Sequence, residues 1–71
     1  MTLEKWLSEI IKSRGINLSE MARLINVPYM ALYNSLMDKS RHREIKGWEL
    51  VKVCIFLNVD PREFAEETAV Q

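Results

Sequence analysis

The residue types that most often carry out catalysis or bind metals are few in this chain. Asp38 and His42 are four residues apart, but no nucleophile accompanies them, so the pair does not make a catalytic set. Cys54 is the only cysteine and His42 the only histidine, which is too few ligands for a zinc site and leaves no intrachain disulfide. The chain also lacks a glycine loop that could cradle a phosphate. We therefore expect no enzyme, no bound metal and no cofactor.

Basic side chains offer a different chemistry because they are concentrated in one part of the chain. The ten basic and ten acidic residues cancel overall, which argues against a protein that coats nucleic acid through bulk charge. Residues 39–52, however, carry five basic residues against two acidic ones, and residues 53–71 carry one against four. The sequence thus permits phosphate contacts from one segment, with non-specific affinity that is weak and lost at moderate salt.

The length of the chain limits what can position these residues. Seventy-one residues with 48% hydrophobic content are expected to form one domain, residues 1–71, with no room for a large catalytic cavity. The N-terminus does not look like a secretion signal, and no apolar run reaches the roughly 20 residues that span a bilayer. Together with the single cysteine, these features predict a cytoplasmic protein without membrane association.

Apolar spacing and capping residues predict five helices. The first spans about Leu3 to Arg14, with Thr2 as its N-cap and Gly15 as the left-handed residue beyond its end. No segment alternates as a strand does, so we expect an all-α fold. The apolar positions of the first helix are Leu3, Trp6, Leu7, Ile10 and Ile11.

Two short helices follow. Asn17 with Glu20 three residues later predicts the start of the second helix, and Asn26 suits the left-handed conformation at its end. The third helix begins within a residue of Pro28 and extends to about Met37.

The sequence also predicts where the fourth helix begins and ends and where the fifth begins. The fourth runs from Gly47 or Trp48 to Leu57, and Asn58 ends it. The sequence from Asp60 to Glu63 predicts the start of a fifth helix, anchored by Phe64.

Residues 17–37 have the spacing of a helix-turn-helix, whose second helix can present its N-terminal side chains to the major groove. That geometry requires a small residue where the helices cross and a turn residue four positions later. Ala22 and Asn26 meet these two requirements. It also requires apolar residues that face inward after the turn, and Val27 and Leu32 occupy those positions.

With these features the sequence resembles the Cro/C1-type, or XRE-like, helix-turn-helix family of phage and bacterial regulators. The resemblance extends to the segment from Leu57 to Phe64, which is similar to the family's closing motif. It implies a five-helix lambda-repressor-like fold, binding to double-stranded DNA, frequent homodimerisation and transcriptional control. The chain departs from the family pattern at Leu18, Asn26 and Ser35, where a glutamine, a glycine and an aliphatic residue are common.

The match to the family pattern implies that the third helix contacts bases. An asparagine can pair with an adenine edge, a methionine can contact a thymine methyl, and a tyrosine can contact bases or phosphate. The alternative for the two tyrosines is packing against helix one or four. The base-contact candidates are Tyr29, Met30, Tyr33 and Asn34.

The same resemblance places the basic loop after the third helix close to the DNA backbone. The alternative is that this loop is a solvated charged connector. The phosphate-contact candidates are Lys39, Arg41, His42 and Arg43, with flanking contacts from Arg23 and Lys46.

Helix four is apolar on two stripes, and a monomer of this size cannot bury both. An exposed apolar stripe usually marks a partner surface, so we expect a homodimer through helix four and the C-terminal segment. Two-fold pairing would place the third helices about one DNA turn, ~34 Å, apart. The alternative is that Phe64 and Trp6 cover the stripe within one chain. The predicted interface residues are Trp48, Val51, Ile55 and Phe56.

These features together predict a sequence-specific DNA-binding transcriptional regulator, with repression as the expected effect, that inserts its third helix in the major groove. A second hypothesis is that the scaffold serves as a protein-interaction module, as in an antitoxin or a phage inhibitor, without sequence-specific DNA binding.

Overall fold

The computed structural model describes residues 2–38, 40 and 43–69, with side chains described as far as residue 66. These residues form five α-helices and no strand, which confirms the predicted all-α class. None of the helices in this part of the chain is long and apolar enough to cross a membrane. The helices are α1 (Leu3–Ser13), α2 (Leu18–Ile25), α3 (Tyr29–Leu36), α4 (Gly47–Leu57) and α5 (Pro61–Ala69).

Side-chain caps open the first two helices as expected. The Thr2 hydroxyl oxygen accepts a hydrogen bond from the Lys5 backbone N–H at 3.1 Å, and the Asn17 amide oxygen accepts one from the Glu20 N–H at 3.1 Å. Both bonds satisfy donors that the helix itself leaves unpaired. The third helix begins at Tyr29, within a residue of Pro28 as predicted, and Pro28 occupies its N-cap position.

A residue with a left-handed backbone conformation follows the end of α1, α2 and α4. Gly15 has a φ of 64°, Asn26 of 59° and Asn58 of 56°. Asparagine tolerates this conformation better than most residues with a Cβ atom, because its short polar side chain can bond locally. The predicted ends of α1, α2 and α4 are therefore confirmed.

The core is formed mainly by α1 to α4, and α5 packs against it from one side. The Phe64 ring of α5 lies 5.8 Å from the Trp6 ring of α1. The Arg14 guanidinium donates to the backbone carbonyl of Leu57, so it joins the end of α1 to the end of α4. The buried apolar residues are Trp6, Leu7, Ile11, Met21, Ala22, Val27, Leu32, Leu36, Val53, Cys54 and Leu57.

Candidate nucleic-acid interface

The turn between α2 and α3 has the local features that the sequence predicts for it. Asn26 adopts the left-handed conformation, and the next backbone N–H, that of Val27, donates to the carbonyl of Ala22 at 3.0 Å. Ala22 and Val27 are buried, and Leu32 is fully buried. A small residue on α2 and two apolar residues after the turn thus hold α2 and α3 against each other.

The first turns of α3 present large side chains to solvent. Tyr29 is 42% exposed, Met30 58% and Tyr33 38%. The two tyrosine rings pack against each other at the surface, with their centroids 5.9 Å apart. The alternative in which these tyrosines belong to the core is therefore wrong. Asn34 lies beside them and is half-buried.

The opposite face of α3 contains a buried hydroxyl. Ser35 is only 8% exposed, although aliphatic residues are common at the corresponding position of the Cro/C1-type pattern. Its hydroxyl oxygen accepts a hydrogen bond from Nη1 of Arg43 at 2.7 Å. Its polar character is therefore explained by a specific partner rather than by solvent.

Arg43 makes an internal ion pair instead of facing outward. Its Nη1 and Nη2 donate to Oε1 and Oε2 of Glu49 at 2.9 and 3.0 Å, and Nη1 also lies 3.4 Å from the carbonyl oxygen of Ala31. The Glu49 side chain is 1% exposed and that of Arg43 is 29% exposed. We expected Arg43 to contact a phosphate. The geometry gives it a different role, because both terminal nitrogens already bind protein acceptors.

The charge state of this pair follows from its geometry. The two hydrogen bonds from Arg43 hold the pKa of Glu49 below its usual value, and the Lys46 backbone N–H bond acts in the same direction. Burial opposes both contributions, since removal from water disfavours a carboxylate. Glu49 in turn raises the pKa of Arg43. The pair is therefore ionised at neutral pH.

The role of Glu49 was not predicted from the sequence, although the spacing of its neighbours contains a signal for it. Glu49, Val53 and Leu57 are spaced four residues apart, so the carboxylate lies on the same helical stripe as two core residues. An acidic residue on an apolar stripe requires a cationic or hydrogen-bonding partner. Arg43, six residues earlier, is that partner.

Of the five remaining phosphate-contact candidates, two lie among the described residues and three do not. Arg23 on α2 and Lys46 before α4 are exposed, as a contact with DNA requires. Lys39, Arg41 and His42 lie outside the described residues. Between them, Ser40 donates from its backbone N–H and its hydroxyl to Oδ1 of Asp38, at 2.9 and 2.7 Å.

The outer face of α4 carries a continuous exposed surface, which we call the α4 patch. It consists of Trp48, Val51, Ile55 and Phe56, exposed by 51, 57, 74 and 38%. Phe64 packs on Trp6 instead of covering this surface, so the alternative of covering within one chain is wrong.

A shallow cleft of about 540 Å³ adjoins the α4 patch, between α4 and the start of α5. Cys54 lines it and is buried, with 5% of its surface exposed. Burial raises the pKa of its thiol, and the nearby Asp60 and Glu63 carboxylates act in the same direction. A thiol with a raised pKa is a poor nucleophile at neutral pH.

Comparison with known proteins finds no family model, no curated protein and no solved structure that matches the chain. In the described part of the chain, no three His, Cys, Asp or Glu side chains are grouped to hold a metal ion.

Proposed function

We propose that this chain is a sequence-specific DNA-binding transcriptional regulator with a lambda-repressor-like helix-turn-helix fold. The observation that carries the proposal is the unit of α2, the left-handed Asn26 turn and α3. Ala22, Val27 and Leu32 fix its inner side, while α3 presents exposed side chains from its N-terminal turns. This is the arrangement by which a second helix enters the major groove.

The side chains of α3 suit contacts with A·T base pairs. Asn34 pairs with the adenine edge through its amide, and Met30 contacts a thymine methyl group. Tyr29 and Tyr33 contact bases or phosphate through their hydroxyl groups. No arginine or lysine lies in α3, so the bidentate arginine–guanine contact does not come from this helix.

Phosphate contacts come from cations around α3. Arg23 and Lys46 are exposed, and Lys39, Arg41 and His42 follow α3 in the sequence. The chain has no net charge, so we expect non-specific affinity to be low and strongly salt-dependent.

A second copy of the chain is the partner that best fits the α4 patch. Lys46 lies at the N-terminal end of the patch, and Asp60 and Glu63 lie at the other end, where α5 begins. Two-fold antiparallel pairing of α4 with α4 buries the patch and brings the basic end of one copy beside the acidic end of the other. The dimer then presents two α3 helices to successive major grooves, ~34 Å apart.

Titration with labelled duplex DNA at low salt, followed by fluorescence anisotropy, tests the proposal. We expect binding to mixed genomic duplexes that weakens linearly on a logarithmic salt scale. Asn34→Ala should relax the preference at one base pair, whereas Arg41→Ala should weaken binding to all sequences alike. A flat titration with both random and genomic DNA would overturn DNA binding.

One observation favours a second candidate function, a protein-interaction module such as an antitoxin or a phage inhibitor. Leu24 on α2 is 56% exposed and Met30 on α3 is 58% exposed, so both helices of the unit carry large apolar side chains at the surface. Apolar surface of this kind is typical of protein interfaces. A flat DNA titration of a folded protein would favour this candidate.

A further inference from the structure

Arg43 holds α3 from the side opposite its exposed residues. Nη1 lies 3.4 Å from the carbonyl oxygen of Ala31 and 2.7 Å from the hydroxyl of Ser35, which are one helical turn apart. Each of these residues directly follows a base-contact candidate, Met30 and Asn34. The guanidinium therefore binds the same two turns of α3 that carry the proposed reading side chains.

Arg43 and the residues that follow it are also held by contacts with α4 and α1. Oε1 of Glu49 accepts from Nη1 of Arg43 and from the backbone N–H of Lys46 at 3.0 Å. The backbone N–H of Ile45 donates to Oε2 of Glu4 on α1 at 3.0 Å. Residues 43–46 thus connect α1, α3 and α4, and Arg43 is held by contacts on both α3 and α4.

From these contacts we propose that Arg43 is a positioning residue for α3, and that it determines sequence preference without contacting DNA. Its planar guanidinium group joins α3 to the N-terminus of α4 and fixes the rotation of α3 about its own axis. That rotation decides which base edges Tyr29, Met30 and Asn34 meet. This inference rests on the proposed DNA-binding function.

Hydrogen-bond geometry explains why a small rotation matters. Hydrogen bonds weaken steeply when their angles are poor, and a good bidentate pair discriminates between bases by about 5- to 150-fold. Movement of Arg43 to a phosphate would leave the Glu49 carboxylate buried and unpaired, which is strongly unfavourable. The residue therefore stays with Glu49 when DNA binds.

The experiment compares the affinity for a selected DNA site with that for random duplex, and measures the salt slope of each. Arg43→Met and Glu49→Gln remove one partner each, and the double variant keeps the wild-type net charge. We expect all three to lower the ratio of specific to non-specific affinity by about tenfold, within the range that one base contact supplies. The double variant should retain the wild-type salt slope, since no phosphate contact is lost.

Arg23→Met is the matched control, because Arg23 is exposed and is a phosphate-contact candidate. It should weaken both affinities alike and reduce the salt slope by about one. Arg43→Lys keeps the charge and supplies a second test if Arg43→Met does not fold. If the Arg43 variants behave as Arg23→Met does, Arg43 contacts phosphate and the proposal is wrong.

Amide hydrogen exchange gives a readout that does not need DNA. Arg43→Met and Glu49→Gln should speed exchange at Leu36 and Met37, near the end of α3, by about tenfold, whereas Arg23→Met should not. Unchanged exchange would show that Arg43 does not hold α3. Wild-type protein that binds no DNA would overturn the proposed function and the reading role with it, while exchange would still show whether α3 is held.

Discussion

Glu49 is a buried carboxylate whose hydrogen-bond partners are all donors, so its protonation state affects the fold. Oε1 accepts from Arg43 and from the backbone N–H of Lys46, and Oε2 accepts from Arg43. These bonds place its pKa below the ordinary 4.5. A lowered pKa in the folded state means that the ionised group stabilises the fold fully above that ordinary value, and that this contribution is lost as pH falls through the lowered pKa.

We expect Glu49→Gln to lower the free energy of unfolding at pH 7 by about 1–3 kcal/mol, less than for a fully buried pair because Arg43 is partly exposed. The difference from wild type should shrink as the pH falls below the ordinary glutamate pKa, since Glu49 is then neutral in both proteins. Urea denaturation monitored by tryptophan fluorescence at several pH values measures it. The control is Glu9→Gln at an exposed site, which should change stability by less than about 0.5 kcal/mol. A Glu49→Gln deficit that is constant from pH 7 to pH 2 would contradict this explanation.

At the scale of the helices, much of the fold could be predicted from the sequence because its signals are local. Thr2 and Asn17 cap helices through bonds three residues away, and Asn26 and Asn58 end them in the left-handed conformation. The helix boundaries therefore follow from short segments of sequence. The inward positions of Ala22, Val27 and Leu32 follow from the same short segment.

The role of Arg43 could not be predicted in this way because its contacts are tertiary. A basic residue in a charged loop has the same local sequence whether it faces solvent, phosphate or a buried carboxylate. Only the tertiary fold shows that Ser35 on α3 and Glu49 on α4 bind the same guanidinium. The orientation of Phe64 towards Trp6 likewise depends on how α5 packs on α1.

The close packing of α2 on α3 can be tested by enlarging a side chain between them. Ala22 is 3% exposed and lies where the two helices pack. Ala22→Leu should destabilise the fold by about 1–3 kcal/mol, because the larger side chain forces α3 away from α2. Thermal denaturation measures the loss, and Leu24→Ala on the exposed face of α2 is the control. Equal stability of Ala22→Leu and wild type would show that the helices are not closely packed at this point.

At the scale of the whole molecule, the α4 patch is an apolar surface that a single chain leaves uncovered. Ile55 lies within the α4 patch and is 74% exposed. Ile55→Glu should therefore prevent dimerisation without disturbing the core. Sedimentation velocity should show a dimer for wild type at high micromolar concentration and a monomer for the variant. The control is Leu24→Glu, an equivalent change on an exposed residue outside the patch, which should remain a dimer.

A wild-type protein that remains a monomer at these concentrations would contradict the dimer. The α2–α3 unit would then bind a single half-site, with lower affinity. The distribution of charge agrees with the proposed dimer on DNA, since the surplus of basic residues follows α3 and the acidic surplus lies directly before and within α5.

Selection of bound duplexes from a random DNA pool tests the central claim most directly. We expect enrichment of an A·T-containing palindrome whose half-sites are separated by about one helical turn, roughly 10 base pairs. Asn34→Ala should lose the preference at one position of each half-site. A pool that shows no enriched sequence after repeated selection with folded wild-type protein would contradict the claim that α3 reads DNA.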